Sequence, residues 1–330
     1  MSVVLLVATA ASLVIAWAAA CVMLPLGRYS RFLGRIGLGS ATALRAAFVL
    51  APAVVGLLAM LVVLVPSPFS HCHCLEHGGH HPHLCVRHPW LALPLLTPAA
   101  ALAAVWLAQA GWRAWAVLRD LVRSERWARR LARLPSETVG GIAVRLVDDL
   151  ALGAFTLGIW TPVVAVDRAL WQGLSPEERL AVLHHESAHL QRRDALTLAS
   201  LRLVSTLLPW PSNGPWLRSW RAASEAACDR YAAIQVKDAT CVAMALVSVE
   251  RLRAQLRALK PLSPALGIAA GTDLQVRVHA LLEDKPGSVP LANDLLAVGI
   301  ALLGLAVLLV MLPGSSLHHF VESLLGLLVH

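Results

Sequence analysis

Four long runs without charged residues constrain the fold of this 330-residue chain more than any other feature. They cover residues 2–26, 46–66, 89–112 and 295–313, and each reaches the ~20 residues that a helix needs to cross a bilayer. With 57% hydrophobic and 15% charged residues, the chain is too apolar for an ordinary soluble protein. The sequence predicts a mainly α membrane protein with four transmembrane helices. A signal peptide is the alternative for the first run, but the lack of a basic leader favours an uncleaved span.

Arginine distribution predicts the orientation of these spans. Seven arginines lie among residues 113–133 and four among residues 28–45, whereas the segment between the second and third runs holds only Arg87. The positive-inside rule then places both termini outside and residues 113–294 in the cytoplasm. The net charge of +8 requires no nucleic acid, because arginines beside a span suit anionic lipid headgroups. The expected domains are residues 1–118, 119–292 and 293–330.

An HExxH motif lies within the predicted cytoplasmic domain, at residues 185–189. Positions four apart share one face of a helix, so His185 and His189 can direct two imidazoles at one metal ion. Glu186 is then placed to reach a water on that ion and to act as the general base. A helix is expected here because Ser175 and Glu178 form a capping-box pattern at its start. Chance occurrence is the alternative to a metal site.

A zinc peptidase needs a third ligand downstream, with the fourth coordination position left for water. Glu225 is the candidate, in a second predicted helix that follows a proline-rich break, and a solvated helix face is the alternative for this residue. Asp229 lies one turn beyond Glu225, where it can accept the second ring N–H of a ligand histidine. Asp194 is a further candidate for contacting a ligand histidine without binding the metal itself.

These residues carry a resemblance to a known family. HExxH followed by Arg-Arg-Asp at 192–194 and by Glu-x-x-Cys-Asp at 225–229 resembles the BlaR/MecR-type membrane metallopeptidases. The resemblance implies a gluzincin-like α+β zinc peptidase domain between spans three and four, in a multi-pass protein of the bacterial inner membrane. It also implies cleavage of a protein substrate such as a BlaI/MecI-like repressor. The antibiotic sensors of this family carry an external penicillin-binding domain, which residues 314–330 do not match. A weaker likeness is to the HtpX/Ste24-like family.

Two further features of the predicted domain bear on catalysis. Short strands are expected at Ala143–Val147 and Val163–Val166, where apolar runs alternate with glycines. A strand edge beside the metal would dock an extended substrate by backbone pairing, and a purely structural sheet is equally compatible. An oxyanion donor is also needed, and the candidates are Tyr231, Arg230 and His279.

The segment predicted to lie outside, residues 71–88, is dense in metal-binding side chains. Imidazole and thiol at this density indicate a site for copper, zinc or nickel, and a disulfide-linked loop is the alternative. The candidate ligands are His71, Cys72, His73, Cys74, His77, His80, His81, His83, Cys85 and His88.

Three hypotheses follow from these patterns. The first is a signalling peptidase that cuts a repressor or itself when an external ligand, such as a metal, binds. The second is a quality-control peptidase for membrane proteins, and the third is a non-proteolytic metal-binding membrane protein. A complete HExxH with Glu225 argues against the third, and the His/Cys segment favours the first over the second.

Overall fold

The computed structural model describes Ala16 and residues 41–64, 96–148, 150, 153–207, 214–259 and 270–283. The chain divides into two compact units. The first unit comprises residues 1–117, 201–218 and 294–330, and the second comprises residues 118–200 and 219–293. The His/Cys segment at 71–88, the fourth predicted span and all but one residue of the first lie outside the described residues.

The first unit contains helix α1 (Ala41–Leu64) and the beginning of helix α2 (Leu96–Ala132). Ala46 and Val49 are buried on α1. Within the same unit, the Trp106 indole N–H donates a hydrogen bond of 2.8 Å to the Leu207 carbonyl. Among the helices that the structure describes, none combines the length and the apolarity that crossing a membrane requires. The four spans therefore stay a prediction.

The second unit is built on a four-stranded sheet: β1 (Glu137–Val139), β2 (Ile142–Val147), β3 (Ala154–Leu157) and β4 (Val163–Asp167). The strand order is β1-β2-β4-β3, which places β3 at an edge. β2 and β4 are parallel, and the other two pairs are antiparallel. Gly140 and Gly141 form the β1–β2 turn with φ of 58° and 79°, a conformation that costs glycine little. The two predicted strands correspond to β2 and β4.

Strand β4 forms the centre of this unit, and all five of its residues are buried. Alternate side chains point to opposite faces of a sheet. Val164 and Val166 accordingly pack with Leu183 of the HExxH helix, while Val163 and Ala165 pack with Leu131 at the end of α2. Coverage on both faces explains why residues 163–166 of this strand are an uninterrupted apolar run.

Six further helices follow the sheet, and two of them contain the helices predicted at the HExxH motif and around Glu225. Their bounds are α3 (Arg168–Gly173), α4 (Pro176–Arg192), α5 (Asp194–Ser205), α6 (Gly214–Val236), α7 (Ala239–Leu259) and α8 (Ala270–Glu283). A second core cluster joins α4, α6, α7 and α8 through Ala181, Ala232, Val242, Ala245 and Leu281, among other residues. The unit is thus mostly helical with one small sheet.

Helix α4 carries the HExxH motif between two well-formed ends. Ser175 caps it in a complete capping box with Glu178, and Pro176 occupies the first turn, as the sequence indicates. The helix ends at Arg192, although no glycine or proline occurs there. Arg193 adopts the left-handed conformation with φ 53°, and its N–H caps the helix carbonyls. This break starts α5 at Asp194, whose side chain turns back towards α4.

Candidate metal centre and active-site cleft

The two histidines of the HExxH motif direct the same ring nitrogen at one carboxylate. His185 Nε2 lies 3.5 Å from Glu225 Oε2, and His189 Nε2 lies 3.7 Å from Glu225 Oε1. The histidine rings are 5.0 Å apart at an angle of 80°. One turn of α4 separates the histidines, and α6 supplies the glutamate. The three side chains form a group whose ligand atoms all lie within 4.8 Å of one another.

These separations fit a zinc ion. Ligands at about 2.0–2.2 Å from a tetrahedral zinc are separated from each other by roughly 3.3–3.6 Å. The two nitrogen-to-oxygen distances, 3.5 and 3.7 Å, lie in the upper part of that range and just above it. Imidazole and carboxylate are also the ligands that catalytic zinc sites use. The residues present therefore fit a zinc ion held by three protein ligands.

A carboxylate lies against the other ring nitrogen of each histidine. Asp229 Oδ1 is 2.9 Å from His185 Nδ1, a charge contact whose geometry is not that of a hydrogen bond. Asp194 Oδ2 is 2.8 Å from His189 Nδ1 and also accepts a hydrogen bond of 2.5 Å from the Ser224 hydroxyl. Carboxylates in these positions orient the rings and leave Nε2 for the metal.

Arg277, on α8, supports two of these carboxylates. It makes two hydrogen bonds of 2.7 Å to Asp229 and approaches Glu225 Oε2 at 3.2 Å. Sequence reasoning missed this residue. Its only local signal is that it is an arginine in a helical pattern. Such residues usually lie on a solvent-exposed face of the helix.

Electrostatics in the group favour the charged forms. Burial lowers the pKa of His185, but the carboxylates of Asp229 and Glu225 outweigh burial and raise it to about 10. Burial raises the pKa of Glu225, and His185 and Arg277 outweigh burial and lower it to about 2. Arg277 and His185 likewise outweigh burial at Asp229 and lower its pKa to about 2. In the metal-free site a proton on His185 thus competes with a metal ion.

Glu186 lies next to the ligand group and is buried. Its carboxylate accepts a hydrogen bond of 2.8 Å from the hydroxyl of Thr156 on the edge strand β3. Both residues line the same cleft as His185, His189 and Glu225. The sequence singled out Glu186 but gave no reason to notice Thr156.

The model of peptidase family M48 matches residues 123–255, which include the HExxH motif and Glu225. The chain is a metallopeptidase. The match supports a family M48 enzyme, which implies dependence on zinc, and the BlaR/MecR-type assignment stays a prediction. No curated protein and no solved structure matches the chain.

The structure brings none of the three candidate oxyanion donors of the metallopeptidase to the cleft lining. Tyr231 is buried, and its hydroxyl accepts a hydrogen bond of 2.7 Å from Gln191. His279 is exposed and pairs with Glu283 at 3.1 Å. Successive helical residues are 100° apart, so Tyr231 lies about 200° round α6 from Asp229, and His279 about 200° round α8 from Arg277. Arg230 is likewise absent from the lining.

Cys228 lies beneath the metallopeptidase's metal site. Its sulfur is 3.4 Å from His189 Nδ1 and 3.7 Å from Asp194 Oδ2. Burial, with the charge of Asp194, raises the pKa of the thiol well above its usual range. Together with His189 and Asp194, Cys228 forms a second group of close metal-binding atoms, and it is not part of the ligand set His185, His189 and Glu225.

The cleft of the metallopeptidase has a volume of about 520 Å³ and a mainly apolar lining. Strand β3 supplies all four of its residues, from Ala154 to Leu157. Helix α7 contributes apolar side chains opposite, including Val242, Leu246 and Val249. An extended peptide with apolar side chains fits a cleft of this composition.

Proposed function

We propose that the metallopeptidase is a membrane-bound zinc endopeptidase with His185, His189 and Glu225 as the metal ligands. The observation that carries the proposal is the convergence of both Nε2 atoms on Glu225 at 3.5 and 3.7 Å. Each Nδ1 is occupied by a carboxylate, so only Nε2 is left for a metal. Three protein ligands leave the fourth zinc position open for the reaction.

The residues around the ligands have different roles in the reaction. A zinc ion held by His185, His189 and Glu225 would lower the pKa of water in its open position towards ~7 and polarise the scissile carbonyl. Glu186 accepts a proton from the attacking water and delivers it to the leaving amine. Asp194, hydrogen-bonded to His189 Nδ1, keeps that imidazole in one tautomer, and Asp229 lies against His185 Nδ1 as its charged neighbour.

Substrate docking is assigned to the edge strand β3. It pairs with β4 along one side only, so the backbone groups of its other side are not used within the sheet. All four of its residues line the cleft beside Glu186. An extended substrate pairing with this edge would lie across the metal site.

The arrangement of arginines on α2 supports a lipid partner. Four arginines lie within about 60° of arc at 100° per residue, and all four are exposed. Asp120 and Glu125, the acidic residues of α2, lie outside this arc. A row of this kind suits the anionic headgroups of a cytoplasmic leaflet, as expected next to the third predicted span. These arginines are Arg119, Arg123, Arg126 and Arg130.

For the biological role we propose signalling by proteolysis of a cytoplasmic repressor, or of the chain itself. Helix α2 supports this role, because it runs without interruption from Leu96 to Ala132. One helix thereby joins the end of the third predicted span to residues that pack against the sheet. Quality control of membrane proteins is the second candidate, and the apolar cleft lining favours it.

The peptidase assignment is tested with variants that distinguish the proposed general base from the proposed metal ligands. Glu186→Ala should abolish proteolysis of an unfolded protein substrate and leave zinc content unchanged, because Glu186 is not a ligand. His189→Ala and Glu225→Ala should lower zinc content as well as activity. Zinc is measured by elemental analysis with residues 71–88 deleted, so that only the cleft site is counted. Equal turnover by wild type and Glu186→Ala would contradict the peptidase assignment.

The proposed membrane orientation is tested by reporter fusions. A reporter that is active only in the cytoplasm should work when fused after Trp127 and be silent after Gly79. The physical reason is the cluster of seven arginines at 113–133 against the single Arg87 before it. The reverse pattern would place the cleft outside and exclude a cytoplasmic repressor as the substrate.

A further inference from the structure

Strand β3 brings one hydroxyl group to the carboxylate of Glu186. Thr156 Oγ1 lies 2.8 Å from Glu186 Oε2 and 3.0 Å from the Glu186 carbonyl oxygen. Thirty residues of chain separate the two positions. Thr156 is half-buried, and Glu186 is only 7% exposed.

The strand does not need this hydroxyl for its own structure. Thr156 pairs with Val164 of β4 through the backbone, and a valine would fill the same space and suit a strand equally well. The hydroxyl is the one polar group of this side chain, and both of its hydrogen-bond contacts are to Glu186. Its single proton can be given to either acceptor, so the hydroxyl stays satisfied if the carboxylate moves.

We propose that Thr156 is a positioning residue for Glu186, holding one carboxylate oxygen so that the other is presented to water in the cleft. This inference rests on the proposed role of Glu186 as the base. A carboxylate has two equivalent oxygens and a mobile side chain, so its reaction geometry has to be fixed by a neighbour. Thr156 fixes the position of this carboxylate, and it does so from the strand to which the substrate is proposed to pair.

The expected consequence is a loss in turnover rather than in binding. A hydrogen bond to a charged group contributes enough that removing it should lower kcat by about 10- to 100-fold. The Michaelis constant should change less than twofold, because the hydroxyl is used on Glu186 and not on the peptide. Zinc content should not change, since no ligand is touched.

The test compares three substitutions at one position in the full chain. Thr156→Val keeps the shape and removes the hydroxyl, Thr156→Ala removes both, and Thr156→Ser restores the hydroxyl without the methyl group. The measurements are kcat, KM, zinc content and Tm. Val and Ala should lower kcat alike although only Ala loses packing, and Ser should stay within threefold of wild type.

Two results would overturn the inference separately from the proposed function. If Thr156→Val retains wild-type kcat while Glu186→Ala is inactive, Thr156 has no positioning role and Glu186 remains the base. If Thr156→Ser is as slow as Thr156→Val, the hydroxyl is not the cause. If wild type and Glu186→Ala turn over equally, both proposals fail together.

Discussion

At the scale of single residues, the metal ligands depend on side chains that lie behind them. Arg277 holds Asp229 through two hydrogen bonds, 48 positions away in the chain, and Asp229 in turn lies against His185. Asp229 is only 1% exposed. A carboxylate buried to this degree is tolerated when a charged partner satisfies it and is costly when the partner is removed.

Replacement of Arg277 should therefore destabilise the zinc-free protein. Arg277→Met leaves the buried Asp229 carboxylate without its guanidinium and should lower the free energy of unfolding by about 3 kcal/mol. Arg277→Lys keeps the charge but not the bidentate hydrogen bonding. It should lower the free energy of unfolding by about 1–2 kcal/mol. Chemical denaturation monitored by circular dichroism measures both.

Two controls make this prediction specific. Arg251→Met, on the exposed face of α7, should change the free energy of unfolding by less than about 0.5 kcal/mol. Adding Asp229→Asn to Arg277→Met should recover part of the loss, because the unpaired charge is then absent. If Arg277→Met behaves like Arg251→Met, the buried pair does not stabilise the fold.

At the scale of elements, a buried glutamate ties α2 to the turn that links β3 and β4. Glu125 accepts hydrogen bonds from the backbone N–H groups of Ile159 and Trp160 and from the Thr161 hydroxyl. In the same turn, Gly158 has φ 90°, and a Cβ there would come within 2.8 Å of Ala128 on α2. The turn is thus held against α2, and it ends the strand that lines the cleft.

The Glu125 contacts predict a pH-dependent stability. Burial raises the pKa of Glu125, but the hydrogen bonds from Thr161, Ile159 and Trp160 outweigh it and hold the pKa below its usual range. A lowered carboxyl pKa contributes stability that is present above the unfolded value of 4.5 and lost as pH falls through the folded value. Glu125→Gln should cost about 1–2 kcal/mol at pH 7.

The difference between wild type and Glu125→Gln should shrink as the pH falls below 4.5. Thermal unfolding between pH 3 and pH 7 measures it. Glu137→Gln, which changes an exposed glutamate on β1, is the matched control and should show no such pH dependence. A difference that stays constant with pH would mean that the carboxylate charge is not what holds the turn.

At the scale of the whole molecule, the proposed signal is metal binding by the segment at 71–88. That segment lies between the second and third predicted spans, and α2 follows it in the chain. A ligand shifts a two-state equilibrium only by its difference in affinity for the two states. A preference of about 2.7 kcal/mol for one arrangement of the spans would change the active fraction about a hundredfold at most.

Replacing the histidines and cysteines of 71–88 with serine should remove the response of proteolysis to external metal. Cleavage of the repressor, or of the chain itself, is followed while copper, zinc or nickel is added outside. Basal cleavage should persist, because the serine variant leaves the cleft untouched. If wild type and the serine variant respond alike, the segment stores metal without controlling the enzyme.

The sequence by itself determined the features whose causes are local. Ser175 and Glu178 specify the start of α4, because a capping box is made by residues three apart. The spacing of His185 and His189 specifies one face of that helix, and the β2 and β4 strands follow from short apolar runs. The end of α4 at Arg192 was missed, because the left-handed Arg193 gives no local signal of the kind that glycine gives.

Only the tertiary structure decided which distant groups meet around the cleft. Arg277 reaches Asp229 from α8, Thr156 reaches Glu186 from β3, and Glu125 reaches the 158–161 turn from α2. No spacing rule connects these pairs, because helix and strand periods relate only residues within one element. The same reason explains the candidate oxyanion donors: only the packing of α6 and α8 determines where Tyr231 and His279 lie, and it leaves both outside the cleft lining.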